Sequence, residues 1–339
     1  MAKQFFIIDG SSYIYRAFYA IRELSNSAGL PTNATYGFTK MVLKIINEKK
    51  PDYLAIAFDA KGDTFRNELY KDYKAHRPPM PDALAQQIPY IHLMVAAFQI
   101  PLLLETGLEA DDLIGTLAKK GEEAGLSVVI VTGDKDMYQL ITPRVTVYDS
   151  MKNQTYTELT IQEKFGITPG QIVDMMGLMG DAVDNIPGVK GIGEKTAMQL
   201  IQTFGTLENL LGRIEEVKRP KQRELLESQQ KMARLSRELA TIKTDCDIPF
   251  HLETFELKVP DSTQLRSLCL ELEFLALLKE LVPATLENES TGSLDGGSPI
   301  STAPEVVFQT IDEKGLSSLI SEIKSDGVVA LSLLSSDPP

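Results

Sequence analysis

Nine acidic residues in this 339-residue chain sit where they could act together: Asp9, Asp59, Glu109, Asp111, Asp112, Asp134, Asp136, Asp181 and Asp184. Taken singly, none is informative. Carboxylates in the first turn of a helix are ordinary, because they cap free N–H groups and complement the helix dipole. That explanation covers one or two acids of the run Glu109-Ala110-Asp111-Asp112, but not three. Nine anions gathered in a small volume would repel one another until some took up protons or the fold opened. Bound cations resolve the conflict, and ligation by oxygen alone favours Mg²⁺ or Mn²⁺ over zinc. Two such ions about 4 Å apart activate a water and stabilise a leaving oxygen in phosphodiester cleavage.

The elements that must gather these acids are legible as apolar runs. Gln4–Ile8, Tyr53–Phe58 and Ser127–Val131 are short, rich in branched and aromatic residues, and bounded by turn residues, which predicts buried strands of a parallel sheet. Each leads into aspartate: Asp9, Asp59, and Asp134 with Asp136. Thr35–Asn47 and Asp112–Ala124 have the apolar spacing of helices between them, so the fold class is α/β. In an open parallel sheet, ligands bind outside the carboxyl ends of the strands, which predicts that the acids share one edge. Glu109-Ala110-Asp111-Asp112 joins them at a helix start, and Gly180-Asp181-Ala182-Val183-Asp184-Asn185 supplies two more.

Two further stretches suit nucleic acid. Ile186–Ala197 (IPGVKGIGEKTA) has the Gly-hydrophobic-Gly turn of a helix-hairpin-helix. Glycines let a backbone approach a phosphate, and the following helix offers free N–H groups. Gly188, Lys190, Gly191, Gly193, Lys195 and Thr196 are therefore candidate duplex contacts. A P-loop is the rival, and it fails because Glu194 intervenes before Lys195-Thr196 and no strand leads in. A plain tight turn is the bland alternative. In Ala60–Pro81, Arg66, Lys71, Lys74 and Arg77 alternate with Phe65, Tyr70 and Tyr73. Read as a helix, Tyr70, Tyr73, Lys74 and Arg77 share a side, a mixture suited to single strands with exposed bases. An amphipathic surface helix would look the same, and only the position after Asp59 favours the first reading. The downstream basic run from Arg213 to Arg223 reads by default as a solvated face.

Net charge is −13, which on its face argues against a polyanionic partner. Its distribution says otherwise: residues 190–243 hold eleven Lys/Arg against seven Asp/Glu, while residues 244–339 hold five against seventeen. Two isolated cysteines, Cys246 and Cys269, make neither a disulfide framework nor a thiolate zinc site. No run of eighteen apolar residues occurs, and Asp9 interrupts any signal-peptide core, so a cytoplasmic protein without membrane contact is expected.

Six motifs in order carry a resemblance: Ile8–Arg16 (IDGSSYIYR), Phe58–Gly62 (FDAKG), Tyr73–Pro81 (YKAHRPPMP), Glu109–Thr116 (EADDLIGT), Thr132–Asp136 (TGDKD) and Gly180–Gly188 (GDAVDNIPG). Together they resemble the 5′-nuclease domains of bacterial DNA polymerase I, within the flap endonuclease family, over about residues 3–283. The resemblance implies a PIN-like core with a mostly parallel sheet (1–170), a helical arch around 64–90, and a helical DNA-binding subdomain (171–284) with its hairpin motif at 186–200. It implies two metal ions, with Asp9, Asp59, Glu109 and Asp111 as one ligand set, Asp134, Asp136, Asp181 and Asp184 as the other, and Asp112 supporting either. Arg16, Tyr73, Lys74 and Arg77 match positions that handle the scissile phosphate and the 5′ strand, with Arg66 a further candidate DNA contact from the basic and aromatic stretch, and the hairpin would hold the duplex, with K⁺ on its carbonyls. The implied substrates are branched or flapped DNA and RNA-primed DNA, cut by a monomer with a polymerase domain in cis if the native chain is longer. Residues 285–304 read as a flexible linker. Residues 305–339 resemble the start of a proofreading-exonuclease-like domain, but Val328–Leu333 (VVALSL) lacks the acids that activity needs, and no polymerase segment is expected in this chain.

Overall fold

The computed structural model describes residues 2–281. The expected linker and the segment 305–339 lie outside the described residues. Six strands form one sheet: β1 (Gln4–Asp9), β2 (Tyr53–Ala57), β3 (Leu102–Leu103), β4 (Ser127–Val131), β5 (Val145–Asp149) and β6 (Gln154–Tyr156). Their order is β3-β2-β1-β4-β5-β6, parallel throughout except for β6, which runs antiparallel to β5. Chain order reverses between β1 and β4, and such a switch point opens a crevice at the strands' carboxyl ends.

The helices on this frame are α1 (Gly10–Ala20), α2 (Asn33–Lys49), α3 (Phe65–Leu69), α4 (Asp82–Ala85), α5 (Ile88–Ala97), α6 (Ala110–Glu123) and α7 (Glu158–Phe165). There follow α8 (Ile172–Met179), α9 (Glu194–Phe204), α10 (Leu207–Gly212), α11 (Pro220–Ser228), α12 (Gln230–Ala240), α13 (Ser262–Glu271) and α14 (Leu275–Leu281). None is long and apolar enough to cross a membrane, among the described residues.

Alternation along the strands explains the layering. Phe5 and Ile7 of β1 face a core shared with Leu113, Leu117 and Ile130, while Phe6 and Ile8 face Tyr13, Phe38 and Ile91. Both faces are covered, so β1 and β2 read as continuous apolar runs rather than alternating ones. The first core continues without a break into α8, α9 and α12 through Leu178, Ile201 and Leu239.

The expected helix through Tyr70–Arg77 is absent. α3 ends at Leu69, and the chain then runs as turns, with Lys74 in the left-handed region at φ +56°. The reason is tertiary. The Lys74 N–H donates to the carbonyl of Asp184 (2.9 Å), and Asn185 Nδ2 donates to the carbonyl of Asp72 (2.6 Å). These bonds fasten the segment to the 181–186 loop and take the place of a helical ladder.

Candidate active site

The crevice at the β1/β4 switch point is built from five segments. Asp9 ends β1 and caps α1: one oxygen accepts from the Ser12 N–H (2.9 Å), the other from Thr132 Oγ1 (2.7 Å). Asp59 follows β2, and its Oδ1 accepts from the N–H of Ala110 at the start of α6 (2.9 Å). Asp134 follows β4 and accepts from the Asp136 N–H (2.9 Å). The fifth segment is the loop 181–186, closed by the pair of backbone bonds between Asp181 and Ile186 (2.9 and 2.7 Å). Gly180 (φ +70°) and Gly188 (φ +61°) lock its base, because a Cβ on Gly188 would lie 2.4 Å from the Gly180 nitrogen. Neither position admits a side chain.

The electrostatics of these acids are uneven. Burial, then the nearby Asp59 and Asp134, pushes Asp9 up to about 6 despite its two hydrogen bonds. Burial with Asp134, Asp181 and Asp184 pushes Asp136 to about 8. Asp111 is raised well above the carboxylate range by burial and by Asp9, Asp134 and Asp59. Asp134 is raised too, by burial and by Asp184 and Asp181. Among the described residues, no Lys, Arg or His forms an ion pair with Asp9, Asp59, Asp111, Asp134, Asp136 or Asp181. The surroundings thus penalise negative charge that a cation would relieve.

Glu109 and Asp184 form the side of the crevice where cations do reach. Lys74 Nζ lies 3.0 Å from Glu109 and 3.8 Å from Asp184, and Arg77 pairs with Asp184. Burial would lower the Lys74 pKa, but Glu109 and Asp184 outweigh it and raise it, so the ammonium is held charged.

The donor set fits hard divalent cations, since every candidate ligand is a carboxylate. Among the described residues, however, no three Asp, Glu, His or Cys side chains stand close enough together to hold one ion. Mg²⁺ characteristically takes one or two carboxylates directly and keeps several waters. A spread set of acids that reaches an ion partly through water is compatible with that habit.

Four assignments made from the sequence are corrected. Asp112 is fully buried, accepting from Arg66 Nη1 and Nη2 (2.7 and 2.8 Å) and from the N–H groups of Lys243 (2.9 Å) and Glu109 (3.4 Å), so it has no lone pair to spare for a metal in the crevice. Arg66 is the other half of that pair. Its guanidinium is 2% exposed and also bonds the carbonyls of Leu239 and Thr241, so it holds α3 to α12 and cannot touch a DNA strand. Tyr73 is buried, with its hydroxyl on Glu109 (3.2 Å) and Asp184 (3.4 Å), and presents no ring face for stacking. Gly188 is buried against Gly180, whereas Lys190, Gly191, Gly193 and Lys195 of the hairpin are exposed and Thr196 partly so. Gly193 is the N-cap of α9 and, having no side chain, leaves the N–H groups of Glu194 and Lys195 without a capping bond from its own residue.

Arg16, Lys135, Asp134, Asp136, Asp181, Met175 and Met176 line a cavity of about 590 Å³. The sequence reading missed Asp149, which ends β5 at the same edge and pairs with Arg16 (3.3 Å). The signal was present: Val145–Asp149 (VTVYD) is again a β-branched run leading to aspartate.

Comparisons with known proteins agree with this architecture. Residues 4–166 match the 5′-3′ exonuclease, N-terminal resolvase-like domain, and residues 167–263 match the 5′-3′ exonuclease, C-terminal SAM fold. A 5′-3′ exonuclease of Aquifex aeolicus is 41% identical over 82% of this chain and 95% of its own length. DNA polymerase I of Bacillus caldotenax is 43% identical over 85% of this chain, and the chain spans 33% of that protein's length. Among solved structures, the T5 D15 protein co-crystallised with metal ions superposes with a TM-score of 0.60 at 20% identity, covering 70% of this chain and 89% of that one. The catalytic core of Rad2 in complex with DNA substrate gives 0.56 at 19% identity, covering 83% and 92%. At those identities the structural likeness concerns the fold, a mostly parallel sheet with an appended helical region. The two family matches together run without a gap from residue 4 to residue 263, and the chain belongs to the 5′-3′ exonuclease family.

Proposed function

We propose that this chain is a structure-specific 5′-nuclease that hydrolyses phosphodiester bonds in flapped or branched DNA and in RNA-primed DNA, with two Mg²⁺ or Mn²⁺ ions. The observation that carries this reading is the crevice itself, where Asp9, Asp111, Asp134 and Asp136 are held at raised pKa with no cation paired to them. Asp9, Asp59, Glu109 and Asp111 would reach one ion, and Asp134, Asp136, Asp181 and Asp184 the other, in part through water. The ions would supply an activated water and charge stabilisation at the leaving oxygen.

The chain's own groups do the rest. Lys74 and Arg77 carry fixed positive charge beside Glu109 and Asp184, where charge develops on a phosphate as its P–O bond breaks. Arg16 adds a guanidinium across the cavity, a geometry suited to phosphate oxygens. Lys190, Gly191, Gly193, Lys195 and Thr196, at the start of α9, grip duplex backbone without reading its sequence. A monovalent cation such as K⁺ on the hairpin carbonyls would add to that grip. The enzyme works as a monomer in the cytoplasm, joined to a polymerase domain where the native chain continues.

Incubation of a labelled 5′-flap duplex with the folded protein tests the reading. Cleavage that needs Mg²⁺ or Mn²⁺ and leaves 5′-phosphate ends is expected. Absence of cutting under both ions overturns the proposal.

A further inference from the structure

Arg16 reaches from α1 across to the loop after β4. Its guanidinium points end-on at Gly133: a Cβ built there would be 1.2 Å from Nη2, 2.2 Å from Cζ and 2.6 Å from Nη1. Only a residue without a side chain leaves that path open. The other hold is Asp149, the sole acceptor that the described residues offer this guanidinium, at 3.3 Å from Nη1.

Asp149 is itself tightly fixed. Its Oδ1 also accepts the N–H groups of Met151 (3.1 Å) and Lys152 (3.3 Å), and its Oδ2 takes Lys152 Nζ (2.9 Å). Tyr13 of α1, donating to Ser150 Oγ at 2.7 Å, ties the same helix to the same turn. Burial works against the charge on Asp149, but the Lys152 bonds and Arg16 outweigh it and hold its carboxyl below the usual range. Asp149 therefore shares the sheet edge with the candidate ligands while its oxygens are committed to N–H donors and cations.

We propose that Asp149 and Gly133 are positioning residues, which together hold the Arg16 guanidinium at the cavity mouth so that Nη2 and Nε face an incoming phosphate. The proposal rests on the nuclease reading above. A long side chain already fixed in its working geometry loses less freedom when the strand arrives, and a displaced one forfeits rate.

A double-mutant cycle on flap cleavage tests it, with kcat and KM measured for the unaltered protein, Asp149→Asn, Gly133→Ala, Arg16→Met and both pairings with Arg16→Met. Asp149→Asn and Gly133→Ala should each lower kcat/KM about tenfold in the unaltered background. In the Arg16→Met background each should cost less than about twofold, because the group they position is gone. Equal losses in both backgrounds overturn the proposal, since a general structural role would be felt with or without Arg16. Gly133→Ala with unaltered cleavage also overturns it, and this variant carries the test should Asp149→Asn fail to fold. Cleavage by Arg16→Met equal to that of the unaltered protein overturns the positioning proposal alone. An unaltered protein that cuts no flap removes the nuclease reading and the proposal with it.

Discussion

Asp111 and Asp112 are neighbours in the first turn of α6 and meet opposite surroundings. Asp112 turns inward to a bidentate pair with Arg66 and two backbone N–H groups, all its acceptor capacity used. Asp111 turns to the crevice, where burial, then Asp9, Asp134 and Asp59, raise its pKa, and no cation among the described residues pairs with it. The helix's turn angle separates them: successive side chains diverge by about 100° around the axis. A carboxylate with its partner built in is part of the scaffold, and one without is available to a ligand. Identical residue types in adjacent positions thus meet opposite electrostatic surroundings within one turn of helix.

Exchanging the two roles should give the largest effects. Asp111→Asn is expected to reduce flap cleavage about a thousandfold, while its unfolding midpoint in chelator stays level or rises, because a repelled charge has been removed. Normal cutting by this variant would break the contrast. Asp112→Ala should do the reverse. It leaves the Arg66 guanidinium buried without its carboxylate, at a cost of about 3–5 kcal/mol in urea unfolding, while the fraction that stays folded cuts within a few-fold of the unaltered rate. Full stability of this variant would mean that the pair contributes nothing.

Lys74 lies between the two regimes, a cation built into the crevice but shared by two acids. Lys74→Ala should lower kcat about a hundredfold with little change in KM. A change confined to KM would reassign Lys74 to binding alone.

The raised acids also predict a pH signature. A carboxyl held at about 8 in the folded protein, as at Asp136, keeps a proton that the unfolded chain releases near the ordinary carboxylate value of 3.8. Protonation in that window favours the fold, and the benefit is lost as pH rises through about 8. Tm in chelator should therefore fall between pH 6 and pH 8.5 by about 2–4 °C. Asp136→Asn should flatten the slope, and Mg²⁺ should offset it by binding the folded state. A slope of opposite sign would show that these acids are not held at raised pKa. The smallest effect is expected at the hairpin, where Lys195→Ala should reduce the salt dependence of duplex binding by about one unit of slope while leaving kcat intact.

Much of this was legible in the residues. Gln4–Ile8, Tyr53–Phe58 and Ser127–Val131 are strands to within a residue or two, because a strand covered on both faces must be apolar throughout. β3, with two residues, is too short to leave a pattern, and β5 was passed over although it ends in aspartate like the others. The helical reading of Tyr70–Arg77 failed because spacing reports only what a segment would do alone. Bonds to Asp184 and Asn185, more than a hundred residues away, decided its conformation.

The sequence by itself determined the α/β class and the sheet edge that Asp9, Asp59 and Asp134 follow, since composition and local pattern carry that information. Only the tertiary structure decided how the charges divide: which acids are satisfied by Arg66, which are shared with Lys74 and Arg77, which stand unpaired, and that Arg66, Tyr73 and Gly188 face inward. Pairing depends on distances of a few Å between segments far apart in the chain, and a linear pattern holds no record of those distances.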